Sequence, residues 1–493
     1  MSPPLALTRL TRLVLVAWAA LVVFSAPATA AEPTQRPNII IFMLDDASPG
    51  EFSPYGTAEH PAAFETPHVD ALAEQGTTFI TTWATPLCAP TRALLLTGKY
   101  ANQTGEFSNS LKLPNNDTLF VRNPSIAQTL ADSGYRTALA GKWMLPGLPD
   151  DPGAGFDEHL GYAGYFGRTY FDDWTGPWFG WKDPSKLFPS RDAVTTGGYI
   201  SPSIYWHPAL VRDGELIPTD ENTFGPDVVH EYALDFIQRD HGGQPFFLYY
   251  AEFLPHRPWV GVPTAPGSGE RTEPGIANQI HHIDGYVQSL MQALEDAGIA
   301  DNTVFIFTSD NPTQGYGKHV ASELGARVPM IVTGPGVQQG QFTHALTDFS
   351  DLYPTLMEFA GLSPSTVPGL DGKSFLPVLT GDSDGVRDWI YSYIEAWHMV
   401  RDRDWLLSGD GSVWRTAPSG NMLDYTKVDP PTPESEAAKQ RLEQYIAHLP
   451  PPSEEAFGDR LTKAREKTWI LKAGDGMLNM KQGWKDHPER SEP

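Results

Sequence analysis

Residues 36–46 read RPNIIIFMLDD, an apolar run that ends in two aspartates, Asp45 and Asp46. A short, continuous run rich in β-branched residues is typical of a strand buried on both faces of a parallel sheet. Residues 303–311 read TVFIFTSDN and repeat this construction. In open α/β sheets, ligand sites gather at the carboxyl ends of the strands. The oxygen-bearing side chains that end these two runs are therefore candidates for one site.

The other apolar patterns of this part of the chain predict strands that alternate with helices. Further strands are expected at 137–140, 245–250 and 329–333, and helices at 69–75, 126–133, 228–238, 281–297 and 351–359. Such alternation is typical of an α/β fold with helices on both faces of the sheet.

The pattern changes after Asp371-Gly372-Lys373-Ser374. Short strands are expected at 389–395, 405–407 and 468–471, a helix at 434–448, and Pro-rich breaks at 430–433 and 450–452. We therefore predict a large α/β domain at 36–385 and a small C-terminal α+β domain at 386–493.

One segment of the large domain, 161–206, is rich in aromatic residues. Thirteen of its 46 residues are Phe, Tyr or Trp, against 11% for the whole chain. Aromatic rings bury a large area and also present flat faces. The insertion is thus either a packed surface lobe or a platform for substrate.

The N-terminus has the features of an export signal. Arg9 and Arg12 precede an apolar run at 13–24, and residues 28–30 read ATA, the small-x-small pattern of a signal-peptidase site. We expect a signal peptide at 1–30 and a secreted or periplasmic product. No later segment approaches the roughly 18 to 20 apolar residues that a membrane span needs, so none is expected after cleavage.

The net charge of the chain is −25. Such a surface repels nucleic acid, so no nucleic-acid partner is expected. An anionic substrate needs a local cationic pocket. The candidate groups for that pocket stand in loop-like settings: Arg92, Lys142, His256 and Lys318.

Cys88 is the one cysteine of the chain. An exported protein normally pairs its thiols, so an unpaired cysteine is either a small buried hydrophobe or a functional group. A helix is expected to begin near Pro90 and to end at Gly98. Cys88 should then lie just before a helix N-terminus, where free N–H groups attract anions.

The polar residues that end the two buried strands carry hard oxygen ligands. Asp45, Asp46, Asp310 and Asn311 suit Ca²⁺ or Mg²⁺ better than zinc. Acidic pairs at strand ends also occur as helix caps and solvated turns.

Together these residues resemble the sulfatases that convert a cysteine to formylglycine, within the alkaline-phosphatase-like superfamily. The resemblance runs from Arg36 to about Pro377. Its pieces are Arg36-Pro37-Asn38 with Asp45-Asp46, Thr66-Pro67-His68-Val69-Asp70, Cys88-x-Pro90-x-Arg92 through Gly98, Gly141-Lys142-Trp143, Pro255-His256-x-Pro258, Ser309-Asp310-Asn311, Lys318 with Glu323, Arg327-Val328-Pro329 and Leu370-Asp371-Gly372-Lys373-Ser374.

The resemblance implies a large mixed, mostly parallel sheet flanked by helices, and a sulfuric ester hydrolase activity. A separate maturation enzyme would oxidise Cys88 to formylglycine (3-oxoalanine), whose hydrated aldehyde supplies the nucleophile. The family's sites then imply roles for the remaining residues. One Ca²⁺ would be held by Asp45, Asp46, Asp310, Asn311 and residue 88; Arg92 would support the aldehyde hydrate; Lys142, His256 and Lys318 would contact the ester, and His256 or Lys318 would protonate the leaving oxygen.

Three residues depart from the family pattern. Met144 stands where the family has a second histidine, which is thought to take the proton when sulfate leaves; His319 is a candidate substitute. Thr91 replaces the commoner serine but keeps the hydroxyl, and Pro312 stiffens the loop where glycine is usual.

The substrate is expected to be a sulfated small molecule or glycan, and the aromatic insertion favours a sugar. Two alternatives are a phosphonate or phosphate ester hydrolase of the same superfamily, and a low-activity relative that binds sulfated ligands. The second alternative rests on Met144.

Overall fold

A computed structural model of the chain describes residues 36–109, 119–166, 178–180, 187–188, 200–449 and 454–466. The predicted signal peptide at 1–30, much of the aromatic insertion and the strand expected at 468–471 lie outside the described residues. In the part of the chain that is described, no helix is long and apolar enough to cross a membrane.

The described residues contain both strands and helices. The strands are β1 Asn38–Leu44, β2 Thr77–Phe79, β3 Thr82–Trp83, β4 Arg136–Gly141, β5 Glu158–Tyr162, β6 Trp178–Gly180, β7 Leu187–Phe188, β8 Ile200–Pro202, β9 Leu210–Arg212, β10 Glu215–Leu216, β11 Phe246–Ala251, β12 Thr303–Ser309, β13 Arg327–Val328, β14 Met330–Thr333, β15 Gln341–Thr343, β16 Thr347–Asp348, β17 Ile390–Ile394, β18 Trp397–Arg401, β19 Trp405–Leu407, β20 Val413–Arg415 and β21 Thr426–Lys427.

The α-helices are α1 Pro67–Glu74, α2 Cys88–Thr97, α3 Ala101–Thr104, α4 Leu119–Arg122, α5 Ile126–Asp132, α6 Gly225–Gln238, α7 Ile276–Asp296, α8 Glu323–Ala326, α9 Leu352–Phe359, α10 Leu376–Leu379, α11 Pro433–Ile446 and α12 Glu454–Glu466. Short 3₁₀ helices occur at Pro49–Glu51, Ser53–Tyr55, Ala163–Tyr165, Ala300–Asn302, Phe349–Asp351, Pro364–Thr366 and Met422–Asp424.

The main sheet has ten strands in the order β10-β9-β5-β4-β11-β1-β12-β14-β2-β15. The five central strands β5, β4, β11, β1 and β12 run parallel. Antiparallel pairs continue the sheet through β14 on one side and β9 on the other. The prediction of a mixed, mostly parallel sheet is confirmed.

The two faces of β1 belong to two different hydrophobic clusters. Ile39, Ile41 and Met43 pack into the cluster that also contains residues of α2, α5 and α9. Ile40, Phe42 and Leu44 pack into the cluster that contains residues of α1, α6 and α7. Because successive side chains of a strand point to opposite faces, a strand covered on both faces must be apolar throughout. This explains the continuous apolar run at 39–44.

A separate antiparallel sheet follows in the C-terminal part, with the order β17-β18-β19-β20-β21. Helix α11 covers it, since Ala438 and Leu442 pack with Val400 and Trp405. The expected small α+β unit is therefore present, and the domain boundary at 385 stays a prediction.

Helix α2 begins earlier than expected. Cys88 is its first residue, Leu87 is its N-cap, and the Thr91 amide donates to the Leu87 carbonyl at 3.2 Å. Pro90 lies within the first turn, where its missing N–H has no helical partner to lose. The helix ends at Gly98, which has φ +64, as predicted. Cys88 thus lies in the first turn of the helix and not before it.

Candidate active site

The predicted site residues follow four neighbouring parallel strands. Lys142 comes after β4, His256 after β11, Asp45 and Asp46 after β1, and Asp310 and Asn311 after β12. The register places Leu44 beside Ser309 and Ala251 beside Gly141, so the four strands end at one level. Their carboxyl ends therefore form one edge, where Cys88 and Arg92 of α2 and Lys318 of the loop after β12 also lie.

One ligand atom from each of Asp45, Asp46, Cys88 and Asp310 lies within 4.8 Å of the others. All four residues are buried, as is Asn311. The side-chain Nδ2 of Asn311 donates to Oδ1 of Asp46 at 2.7 Å, and the backbone amide of Asp46 donates to Oδ1 of Asp310 at 3.2 Å. The structure thus brings the five residues predicted to bind a metal into one buried cluster.

Two oxygens of the cluster lack hydrogen-bond donors. Within the described ranges, nothing donates to Oδ2 of Asp46 or to Oδ1 of Asn311, and both atoms are buried. An unsatisfied buried polar atom costs about 1–3 kcal/mol. Carboxylate and amide oxygens are the ligands that Ca²⁺ and Mg²⁺ prefer. The residues therefore fit a hard divalent cation.

Four cationic groups surround this cluster, and all are buried. Arg92 donates to Oδ2 of Asp310 at 2.7 Å, and Lys142 contacts Oδ2 of Asp45. Lys318 donates to Oδ1 of Asp46. Nε2 of His256 lies 3.7 Å from Oδ2 of Asp46. The cationic pocket that the acidic chain requires for an anionic substrate is thus present at the acidic cluster.

These contacts decide the charge state of the carboxylates. Burial by itself would raise the pKa of Asp45 and of Asp46. The charge of Lys142 beside Asp45, and of Lys318 beside Asp46, nevertheless holds both pKa values below the usual range. Both residues are therefore carboxylates at neutral pH, as metal ligands must be.

Cys88 lies between the two kinds of charge. Its Sγ donates to Oδ1 of Asp45 at 3.5 Å and accepts from Nζ of Lys318 at 3.2 Å. Burial, with the nearby charges of Asp310 and Asp45, raises the pKa of the Cys88 thiol well above its ordinary value. The thiolate is the reactive form of cysteine. The unmodified side chain is consequently a poor nucleophile at neutral pH.

Backbone requirements place Lys142 and orient His256. Gly141 has φ +102, and a β-carbon there would lie 2.1 Å from the Ala251 carbonyl oxygen, so only glycine fits before Lys142. Nδ1 of His256 lies 2.6 Å from the Arg257 carbonyl oxygen. Because a carbonyl only accepts, Nδ1 carries a proton and Nε2 is the nitrogen that faces the cluster.

The sequence model of the family described as Sulfatase matches residues 37–362. This match covers more than half of the chain. The chain belongs to the sulfatase family. Human N-acetylgalactosamine-6-sulfatase is 31% identical over 377 aligned positions, and the match covers 70% of this chain and 66% of that protein. Human arylsulfatase A is 30% identical over 376 aligned positions, and the match covers 72% of this chain and 70% of that protein.

Solved structures of sulfatases share the fold. The PsFucS1 sulfatase from Pseudoalteromonas sp. superposes with a TM-score of 0.60 at 22% identity, covering 88% of this chain and 90% of that chain. A protein solved in complex with its substrate D-glucosamine-2-N,6-O-disulfate superposes with a TM-score of 0.56 at 18% identity, covering 93% of this chain and all of that chain.

Met144, which stands where sulfatases usually have a histidine, lies in an unusual backbone conformation. Met144 has φ +56, which is uncommon for a residue other than glycine, and its half-buried side chain packs against both main hydrophobic clusters. Its amide donates to the Tyr165 carbonyl at 3.0 Å.

The Thr91 hydroxyl bonds to the hydroxyl of Thr85 at 2.8 Å, so threonine at this position still forms a hydrogen bond through its hydroxyl group, as serine would. His319 is half-buried next to Lys318, and its amide donates to the Pro86 carbonyl.

Residues that the motifs did not indicate hold the sulfatase site in place. Buried Glu252 accepts from the amides of Phe253 and Leu254 at 2.8 and 2.9 Å and so fixes the turn that leads to His256. The hydroxyl of buried Tyr205 contacts the His256 carbonyl. Glu252 could have been found from its sequence, because a carboxylate directly after a buried strand repeats the pattern of Asp45. No sequence signal marks Tyr205 among the aromatic residues of the insertion.

Glu51 anchors the loop that carries Lys318. It accepts from the Ser48 amide at 3.0 Å and contacts the Thr313 hydroxyl. Burial, partly offset by these hydrogen bonds, raises the pKa of Glu51 from 4.5 to about 8. Between these two values the folded protein keeps a proton that the unfolded chain releases, so the free energy of unfolding should fall as pH rises through this window.

Glu51→Gln should flatten that dependence, because glutamine does not ionise. The expected difference is a few kcal/mol at most across the window, since one pKa unit corresponds to about 1.4 kcal/mol. Urea denaturation of both proteins at several pH values between 4.5 and 8 measures it. Equal slopes in the parent and the variant would show that Glu51 has no raised pKa.

Proposed function

We propose that the protein hydrolyses the sulfate ester of a sulfated carbohydrate, with a nucleophile made from Cys88 and with one bound Ca²⁺. The observation that carries this proposal is the position of Cys88. Its buried sulfur contacts Asp45 on the acidic side and Lys318 on the cationic side. Residue 88 therefore faces both a group of metal ligands and a set of cations able to bind an oxyanion.

The metal would be held by Asp45, Asp46, Asp310, Asn311 and the modified residue 88. The two unsatisfied oxygens, on Asp46 and Asn311, support this assignment. A bound Ca²⁺, or Mg²⁺ in its place, would act as a Lewis acid toward the sulfate oxygens. Arg92 donates to Asp310 and to the Lys142 carbonyl, both at 2.7 Å, and would keep these groups in place.

The nucleophile would be the hydrated aldehyde of a formylglycine that a maturation enzyme makes from Cys88. The raised pKa of the Cys88 thiol, caused first by burial, supports a need for modification, because the unmodified thiol carries no charge at neutral pH. Arg92, one helical turn further along α2, would support the side chain at 88.

Lys142, His256 and Lys318 would bind the oxygens of the sulfate ester. The Nζ of Lys142 lies 4.7 Å from the centre of the Phe253 ring and 5.3 Å from that of Tyr165, so its direction is fixed by aromatic faces. His256 and Lys318 are both candidates for the group that protonates the leaving oxygen.

A carbohydrate substrate is supported by the name of one relative and by the ligand of one solved structure with the same fold. The human relative is named N-acetylgalactosamine-6-sulfatase, and one protein of the same fold was solved with a disulfated glucosamine as its substrate. We place the reaction in the large domain, 36–385, with 386–493 as a second domain. The basic, apolar and small-residue pattern at 1–30 supports secretion or a periplasmic location.

Comparing an aryl sulfate with the matching aryl phosphonate tests the reaction class. We expect kcat/KM to be higher for the sulfate by about tenfold or more. A large preference for the phosphonate would instead favour the alternative of a phosphonate or phosphate ester hydrolase. If the protein binds sulfated ligands but releases no sulfate even when residue 88 is modified, the result would favour the other alternative, a low-activity relative. That alternative is based on Met144, which replaces the usual histidine.

A further inference from the structure

Arg257 is a half-buried cation beside the proposed sulfate site. Its guanidinium lies 4.2 Å from the centre of the Trp259 ring. Nε of Arg257 is buried and has no hydrogen-bond acceptor among the described residues, and no carboxylate of those residues forms an ion pair with the side chain. The chain has 60 carboxylates and a net charge of −25, so a guanidinium that pairs with no carboxylate of the described residues is unexpected.

The other stacks of arginine on tryptophan in the described part of the chain differ in this respect. Arg271 lies over Trp206 and donates to the Glu221 carbonyl at 2.9 Å. Arg415 lies over Trp405 and pairs with Glu434 at 2.7 Å. Arg387, over Trp389, pairs with two aspartates. Each has an oxygen partner among the residues that the structure describes, whereas Arg257 has none there.

Arg257 lies close to the loops that carry His256 and Lys318, two of the residues proposed to contact the sulfate. It directly follows His256, and a β-carbon placed on Gly315 would lie 3.5 Å from its Nη2. Gly315 belongs to the loop that leads to Lys318. The guanidinium therefore lies where the loops of His256 and Lys318 approach each other.

A cavity of about 690 Å³ adjoins Arg257. Tyr205, Trp206 and Trp259 are among the residues that line it, and the Tyr205 hydroxyl contacts the His256 carbonyl. Flat aromatic faces, together with a guanidinium that has no acceptor in the described ranges, are groups that bind an acidic sugar. The cavity thus lies next to the loop of His256, and its wall carries the guanidinium groups of Arg257 and Arg271 and the carboxylate of Glu273.

Stability alone does not explain this arrangement. Stacking on Trp259 is a weak attraction at a partly exposed site, and a buried donor without an acceptor costs more free energy than such a stack contributes. Other long side chains would also cover Trp259 and would leave no donor unsatisfied.

We infer that Arg257 binds a second anionic group of the substrate, a carboxylate or a further sulfate, next to the ester that is cleaved. The inference rests on the proposed function. Trp259 holds the guanidinium plane, and the fork of donors can bind either oxyanion through two hydrogen bonds. The substrate class is therefore a sulfated sugar that carries another acidic group on the same or the neighbouring unit.

The role of Arg257 can be tested without turnover by measuring the affinity of sulfated sugars for the full chain carrying Cys88→Ala. Three probes are compared by calorimetry: a hexosamine monosulfate, the same hexosamine with a second sulfate, and a sulfated disaccharide that contains a uronic acid. At least one doubly anionic probe should bind about tenfold more tightly than the monosulfate or better, because its second oxyanion gains charge-assisted hydrogen bonds from the guanidinium. Which probe gains affinity identifies the second group as sulfate or carboxylate.

Adding Arg257→Met should reduce this preference to less than about twofold while leaving the monosulfate affinity nearly unchanged, because methionine keeps an apolar stem over Trp259. Arg415→Met is the matched control, since it removes the same charge from another Arg–Trp stack, and it should keep the preference. Absence of the preference before Arg257 is changed, or its persistence afterwards, would overturn the inference. A different result would show that the proposed function is wrong. In that case the protein with modified residue 88 would release no sulfate, although the binding preference is present.

Discussion

Replacing Cys88 with alanine is expected to reduce sulfate release from an aryl sulfate by a factor on the order of 10⁴ or more, because losing the nucleophile of an enzyme removes most of its rate enhancement. Cys88 is the first residue of α2 and is 1% exposed. The change removes one sulfur atom and leaves the carboxylates and the cations present. Sulfate release under saturating substrate measures the effect.

Two further variants separate chemistry from packing. Cys88→Ser keeps the approximate volume of the side chain and should lose activity as fully as alanine in a host whose maturation enzyme accepts only cysteine. Thr91→Ser lies in the same helix and keeps the hydroxyl that bonds to Thr85, so it should retain activity within a few-fold. An alanine variant that keeps even a tenth of the parental rate would show that residue 88 is not the source of the nucleophile.

Asp46→Asn should have the second largest effect, since it removes a charge from the proposed metal site without changing the shape of the side chain. Asp46 supplies one of the two unsatisfied oxygens, and its other oxygen accepts from Asn311. We expect activity to fall by about 10²-fold or more. A chelator should do the same to the parent protein, and added Ca²⁺ should restore it.

Thermal stability gives a readout that does not depend on turnover. For the parent, Ca²⁺ at a hundred times its dissociation constant should raise the free energy of unfolding by about 2.7 kcal/mol, and Asp46→Asn should lose most of that increase. Asp284→Asn is the control: Asp284 is also buried, but it accepts from the amides of His68 and Val69 at the start of α1. It should lower stability without changing the response to Ca²⁺. An equal Ca²⁺ response in the parent and in Asp46→Asn would contradict the metal assignment.

The central strands could be predicted because burial on both faces leaves a signal in the sequence. The apolar runs at 39–44 and 303–308 predict two fully buried strands, and the structure shows that these strands, β1 and β12, lie side by side. The outer strands were missed, since β2 has three residues and β10 has two, too few to show a period. Their pairing depends on contacts between distant segments, which no local pattern contains.

Some residues of the candidate site could also be predicted from the sequence, and others could not. Asp45, Asp310 and His256 could be found because each follows a strand that the sequence predicts, and strand ends meet at one edge. Glu51 could not, since its function depends on Thr313, a residue 262 positions away in the chain. Arg257 occupies the variable position of Pro-His-x-Pro, and only the structure shows that it lies over Trp259 without an acceptor among the described residues.

The mass of the peptide that contains residue 88, taken from protein that releases sulfate, tests the proposed chemistry most directly. We predict the mass of an aldehyde side chain in place of the thiol, with the modified fraction rising in proportion to the specific activity of each preparation. Active protein in which this peptide carries only an intact cysteine would contradict the assignment of Cys88 as the precursor of the nucleophile.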